Sequence, residues 1–408
     1  MNTLLIVGLA ISLSFTAGWL IHRLKFPMVT GYVIMGVILG SSMIGLFDVR
    51  MLDQVGIVAD LALGVIAFSI GGELRRDVFK QLGKSIFSIV LLETLGAFAL
   101  VATAMYFLTH KIHIALILGA VSAATAPAAT VAVLQQYRAR GPLSTTILAV
   151  VGIDDAIALI IYAFASSIAK AFIGEGEHVA LSGMVLTPII EIFGAIGVGL
   201  LMGGLVSVLS RGMRDQAQLL TLAAGAVLIS SGIAVHYHLS ELLTNMALAM
   251  TFVNLGPPRR SKQVLDVVQL MGFPIIAGFF CLAGARLDIG LLPKIGWIGL
   301  VYAVTRMAGK LLGASAGAYL SKAPESVRKY IGFSLWPQIG VALALAITVG
   351  KDFDRYGSEG HFLAALVINI LLFTTLITEI VGPLMTRWAI GRAGEIGAAR
   401  PQSSTPPR

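Results

Sequence analysis

Apolar residues in this chain come in long unbroken runs, not in the alternating or one-faced patterns of strands and surface helices. Thirteen runs are long enough to cross a hydrocarbon layer as helices. They fall at about 3–21, 27–46, 53–72, 85–108, 112–134, 144–170, 184–209, 216–234, 239–255, 264–286, 295–320, 328–350 and 361–386. The pattern predicts an all-α polytopic membrane protein with about 13 transmembrane helices. The first run, about Leu4 to Ile21, has no basic leader and no small-residue cleavage site. It reads as a retained helix and not a signal peptide.

The connections between runs alternate in charge. One set is basic: Arg23 and Lys25; Arg75, Arg76, Lys80 and Lys84; Arg138 and Arg140; Arg211 and Arg214; Arg259, Arg260 and Lys262; Lys322, Arg328 and Lys329; then the end of the chain. This set holds 20 of the 29 Lys and Arg, against 6 in the other set. The positive-inside rule then predicts an outside N-terminus and a cytoplasmic C-terminus, in a bacterial plasma (inner) membrane. The net charge of +8 thereby becomes a topology signal, and nucleic acid is excluded as a partner. Composition agrees: 57% of residues are hydrophobic and 12% charged, where soluble domains carry about 25% charged residues. Residues 389–408 are rich in Gly, Ser and Pro and read as a short disordered cytoplasmic tail. The single cysteine, Cys281, allows neither an intrachain disulfide nor a cysteine metal site. With no Walker lysine motif, HExxH or nucleophile elbow in a plausible context, neither an enzyme nor an ATP-driven pump is indicated. A gradient must drive any transport.

Two runs are interrupted at mid-depth by proline among small or polar residues. The first interruption is Ser122 to Thr130, with Ala126 and Pro127. The second is Gly332 to Gly340, with Pro337 and Gln338. They lie seven runs apart, and an odd offset means opposite orientation. Runs two to six and nine to thirteen therefore suggest inverted five-helix repeats with broken helices at matching positions, an arrangement that marks transporter sites.

Between the interruptions lies Gly152-Ile153-Asp154-Asp155. Asp154 sits roughly 15 Å into its run at 1.5 Å per residue, near the middle of a hydrocarbon core about 30 Å thick. An ionised Asp there costs about 3 kcal/mol on insertion scales. The pair requires a partner cation, a bound proton or a water-filled cavity; a capping pair in a buried loop is the structural alternative. Lys310 reaches similar depth in run eleven and can neutralise one Asp, with Arg306 one turn away. Snorkelling to the cytoplasmic surface competes with that role. Asp60, Glu93 and Glu379 are candidates for an access funnel or gate, or else satisfy basic neighbours. His236 and His238 read as a solvated loop and make no metal site.

These stretches resemble the monovalent cation:proton antiporters, with the Nha/NapA-like and Kef-like branch closest. The resemblance runs from about Gly31 to Pro383. It is carried by Gly64 to Leu74, the Thr125–Thr130 interruption, Gly152 to Asp155, Arg306 to Lys310, Trp336 to Ala342 and Glu379 to Pro383. It implies two broken helices that cross at mid-membrane beside the Asp pair, and a homodimer in the lipid bilayer, with a dimerisation part at about 3–74 and 216–290. The linking helix would span about 184–209, and a mobile core about 85–170 and 295–386, all within a transmembrane domain of residues 1–388. It also implies that Asp155 carries the cation, that Asp154 contributes to the site and pairs with Lys310, and that Thr125 helps to coordinate the ion. Some relatives have an Asp in the first interruption; Thr125-Ala126-Pro127 offers none.

The implied function is secondary active exchange of sodium for protons, which compete for Asp154 and Asp155 by alternating access, with no cofactor. Potassium/proton antiport, or Kef-like potassium efflux, is the first alternative. A sodium-coupled organic-anion transporter and a non-transporting membrane sensor are the others.

Overall fold

The computed structural model describes residues 3–24, 28–47, 51–52, 56–76, 83–173, 181–213 and 215–397. Lys25, Lys80, Arg214, the starts of the runs near 27 and 53, and the chain from 398 lie outside the described residues. Helix structure occupies every one of the thirteen apolar runs. Among the described residues, six helical stretches are long and apolar enough to cross a membrane, or seven if a bent pair within Arg259–Ala285 counts as one.

The first group of helices is α1 (Thr3–Arg23), α2 (Met28–Leu39) and α3 (Gly56–Glu73). The next is α4 (Lys84–Thr109), α5 (Ile112–Ser122), α6 (Pro127–Gln136), α7 (Pro142–Val151) and α8 (Asp154–Ile173). Then come α9 (Leu181–Ser210), α10 (Gln216–His236), α11 (Glu241–Leu255) and α12 (Pro258–Ala285). The last part holds α13 (Leu292–Leu320), α14 (Glu325–Tyr330), a 3-10 turn (Ile331–Leu335), α15 (Gly340–Phe353) and α16 (Gly357–Arg392). Helices α1 to α3 pack with α10 to α12. Helices α4 to α8 pack with α13 to α16. Helix α9 lies mainly on α11 and also touches α8 and α10.

Helices α4 and α13 run side by side with their backbones in near contact. A Cβ on Gly309 would lie 2.7 Å from the Ala97 Cα, and one on Gly313 would lie 2.2 Å from the Leu92 carbonyl oxygen. Small residues four apart allow membrane helices this approach. It brings the residue between them, Lys310, against α4.

Two expectations change. The run from 144 to 170, read as one helix, divides at Gly152-Ile153 into α7 and α8. The pair Asp154-Asp155 is consequently the first turn of a helix, where exposed N–H groups and the helix dipole favour negative charge. The predicted disorder from 389 starts too early. Helix α16 continues to Arg392, with Ala389 and Ile390 fully buried. Glu395 then folds back onto the start of α7. Its carboxylate accepts hydrogen bonds from the Leu143 N–H (2.8 Å), the Ser144 N–H (2.7 Å) and the Ser144 hydroxyl (2.6 Å). Gly/Ser/Pro content could not reveal this cap, whose partner is 251 residues away. Because hydrogen bonds to a charged group contribute about 1.5–3 kcal/mol, Glu395→Ala is expected to lower unfolding stability by about 2 kcal/mol. Thermal unfolding in detergent measures this, and an unchanged midpoint would show the cap to be dispensable.

Candidate functional site

The two interrupted runs meet. Helix α5 ends at Ser122, and α6 begins at Pro127, a residue suited to the first helical position because its missing N–H has no intrahelical partner there. The second run leaves its 3-10 turn at Leu335 and resumes as α15 at Gly340. The Ala126 N–H donates to the Pro337 carbonyl (2.9 Å), and the Thr130 hydroxyl donates to the Ser334 carbonyl (3.1 Å). The Gln338 side-chain amide donates to the Val121 carbonyl (3.0 Å) and to the Tyr302 hydroxyl (3.0 Å). Thus Ala126, Pro337 and Gln338 tie the breaks together.

Broken helices leave carbonyls without intrahelical donors. Two cations from α13 serve them. The guanidinium of Arg306 donates to the carbonyls of Ser122 (3.0 Å), Ala124 (2.7 Å) and Trp336 (2.7 Å), so it spans both breaks. The Lys310 ammonium donates to the Ala123 carbonyl and, at 2.8 Å, to the Thr125 hydroxyl. Both side chains are fully buried, which rules out snorkelling. A planar fork with fixed donors makes Arg306 irreplaceable by lysine. Arg306→Lys is expected to retain the charge but lose most of the carbonyl contacts, with at least tenfold slower transport and lower thermal stability. Unchanged rates in reconstituted protein would refute that assignment.

The acids converge on the same place. Asp154 is fully buried, Asp155 is 5% exposed and Thr125 is 2% exposed. Lys310 Nζ lies 3.6 Å from Asp154 Oδ2, but only 2.6 Å from Glu93 Oε2. Glu93, a candidate for a funnel or gate, is instead a fully buried member of this cluster and the nearer partner of Lys310. The sequence could not show the glycine-mediated approach of α4 to α13 that brings Glu93 to Lys310. Glu379 is also buried; the Thr30 hydroxyl of α2 donates to its Oε2 at 3.3 Å. Asp60 stands apart at the surface, paired with Lys351.

Glu93 and Asp154 thus flank the buried Lys310 side chain, with Arg306 one turn away on α13 and Asp155 beside Asp154 in the first turn of α8. Carboxylate oxygens gathered with the Thr125 hydroxyl and break carbonyls suit the binding of a small monovalent cation or a proton. A multi-pass helical protein with a buried cluster of acidic and basic side chains at two helix breaks defines a class, the ion-translocating membrane carriers.

The sequence family described as "Sodium/hydrogen exchanger, transmembrane" matches residues 11–390, and the chain belongs to it. It is accordingly a member of the monovalent cation:proton antiporter superfamily, a transporter and not an enzyme. The chain is 22% identical over 369 residues to the ammonium/H(+) antiporter subunit AmhT of Alkalihalophilus pseudofirmus, covering 90% of this chain and 91% of that one. A shorter similarity, 30% over 118 residues, links 29% of the chain to 27% of the iron transporter MagA of Paramagnetospirillum magneticum. The fold is similar to the sodium proton antiporter MjNhaP1 of Methanocaldococcus jannaschii at pH 8. The TM-score is 0.78 at 18% identity, over 96% of this chain and 98% of that one.

Proposed function

We propose that this antiporter exchanges sodium for protons at one buried site made by Asp154, Asp155 and Thr125. The observation that carries the reading is the Asp pair in the first turn of α8, beside two crossed helix breaks whose carbonyls are held by Arg306 and Lys310. Carboxylate, hydroxyl and carbonyl oxygens are the ligands a hard monovalent cation takes. Protons neutralise the same carboxylates, so the two cargoes compete. The core reorients only with the carboxylates neutralised, and each crossing carries cation or protons.

The helix packing supports a division into moving and stationary parts: α4 to α8 with α13 to α16 as the core, α1 to α3 with α10 to α12 as the dimerisation part of a homodimer, and α9 as the link. The matched breaks support an inverted repeat within thirteen spans. The charge asymmetry of the connections supports an outside N-terminus, a cytoplasmic C-terminus and the bacterial inner membrane.

The test uses purified protein in proteoliposomes with an imposed pH gradient and a lumenal pH dye. Sodium or lithium is expected to dissipate the gradient. Potassium or ammonium acting alone would move the cargo to the potassium branch or to that of the ammonium/H(+) relative, with the site retained. No response to any of the four would overturn the antiport reading for this site.

A further inference from the structure

One buried acid, Glu379, has no part in the central site. It lies on α16, with Thr375 one turn before it and Gly382 nearly one turn after. Residues spaced by four and three share a helix face. The Thr375 hydroxyl donates to the Gln338 carbonyl (2.9 Å), and a Cβ on Gly382 would lie 2.5 Å from the Pro337 Cγ. That face therefore rests on the second break. It also meets α2, where the Thr30 hydroxyl donates to Glu379 Oε2 at 3.3 Å. Under the proposed division α16 belongs to the moving core and α2 to the stationary part, so Glu379 sits on the boundary between them.

Its surroundings do not suit a charge. The side chain is fully buried, and Oε1 has no hydrogen-bond donor among the described residues. Arg306 of α13 is the charged group that faces it, but that guanidinium donates to the carbonyls of Ser122, Ala124 and Trp336 instead. Helix α2 is otherwise apolar apart from Tyr32, which packs on Gly18 of α1. An ionised carboxylate so placed has one long hydrogen bond to offset its desolvation, and a bound proton removes the charge.

We propose that Glu379 is a proton-operated gate on core movement: the core slides over α2 with Glu379 protonated and stays in place when it is ionised. The motion carries the carboxyl away from Thr30 and along the apolar remainder of α2. A carboxylic acid makes that passage as a neutral group. A carboxylate would leave its one donor and remain buried and bare, which is far more costly. The gate is separate from the competition at Asp154 and Asp155, because it applies to a crossing with any cargo. It sets an upper pH limit on exchange even where sodium saturates the central site. The inference rests on the antiport reading and on the division into moving and stationary parts.

The test is exchange of radiolabelled for unlabelled sodium in proteoliposomes, with saturating sodium and equal pH on both sides. Both crossings then carry sodium, and no proton need load the central site. The pH is varied from about 6 to about 10, which spans the range documented for buried carboxyls. Competition at the central site alone makes this exchange rise with pH to a plateau. With the gate, wild-type exchange is expected to fall about tenfold per pH unit beyond the plateau, as loss of one required proton dictates. Glu379→Gln keeps a neutral side chain of the same shape and is expected to hold the plateau throughout. Glu379→Asp, which restores a titrating carboxyl, is expected to restore the fall. A wild-type profile that stays flat overturns the proposal, as does a fall that persists in Glu379→Gln. Loss of exchange at every pH in Glu379→Gln that unfolds thermally like the wild type also overturns it, because a neutral residue leaves the gate open. Wild-type protein that exchanges no sodium at any pH would mark failure of the sodium antiport reading itself, and the gate would fall with it.

Discussion

Asparagine at position 155 is expected to abolish cation-driven proton movement while leaving the protein folded. The substitution preserves size and polarity and removes one negative charge from the cluster. A cation about 4 Å from a unit charge gains about 4 kcal/mol at an effective dielectric of 20, which corresponds to roughly a thousandfold in affinity. The same carboxylate is the proposed proton carrier, so both half-reactions fail together. The measurement is dye-reported flux in proteoliposomes, with thermal unfolding in detergent as the control for folding. Flux within threefold of wild type would show that Asp155 is not the carrier, and the reading of this site would fall with it.

The second large effect concerns Lys310. Its ammonium is fully buried between Glu93 and Asp154. Removing one member of a buried ion pair leaves an uncompensated charge and costs about 3–5 kcal/mol. Lys310→Gln is therefore expected to destabilise the protein by that amount. The choice of second substitution then separates the two carboxylates. Adding Glu93→Gln is expected to recover more stability than adding Asp154→Asn, because the pair at 2.6 Å is coupled more strongly than the one at 3.6 Å. Thermal unfolding of the three variants in detergent reads this directly. Greater recovery with Asp154→Asn would reverse the assignment of the principal partner and restore the pairing expected from the sequence.

Position within an apolar run was legible because it depends only on distance along the chain: Asp154, Asp155, Glu93, Lys310 and Arg306 all lie inside apolar stretches, and all five are buried. The two breaks were legible because Pro127 and Pro337 fall among small or polar residues within apolar runs, whereas Pro274 and Pro383 lie inside helices that continue through them. Direction was not legible. Whether Arg306 turned toward the cytoplasm or the breaks depended on where the carbonyls of Ser122, Ala124 and Trp336 came to lie, and these belong to other helices. The same holds for Lys170, Glu191 and Asp352, which only the packing of α8, α9 and α15 made neighbours.

The sequence by itself determined that this chain is a helical membrane protein, which charges lie inside its apolar runs, and which two runs are interrupted. These follow from burial of apolar runs and from backbone chemistry, which act locally along the chain. Tertiary structure alone decided which charges meet. Gly309 and Gly313 let α13 approach α4 closely enough for Lys310 to reach Glu93, and the crossing breaks gave Arg306 carbonyls from two runs. Ion pairing falls off over a few ångströms, and distances of that size between separate helices are set by packing.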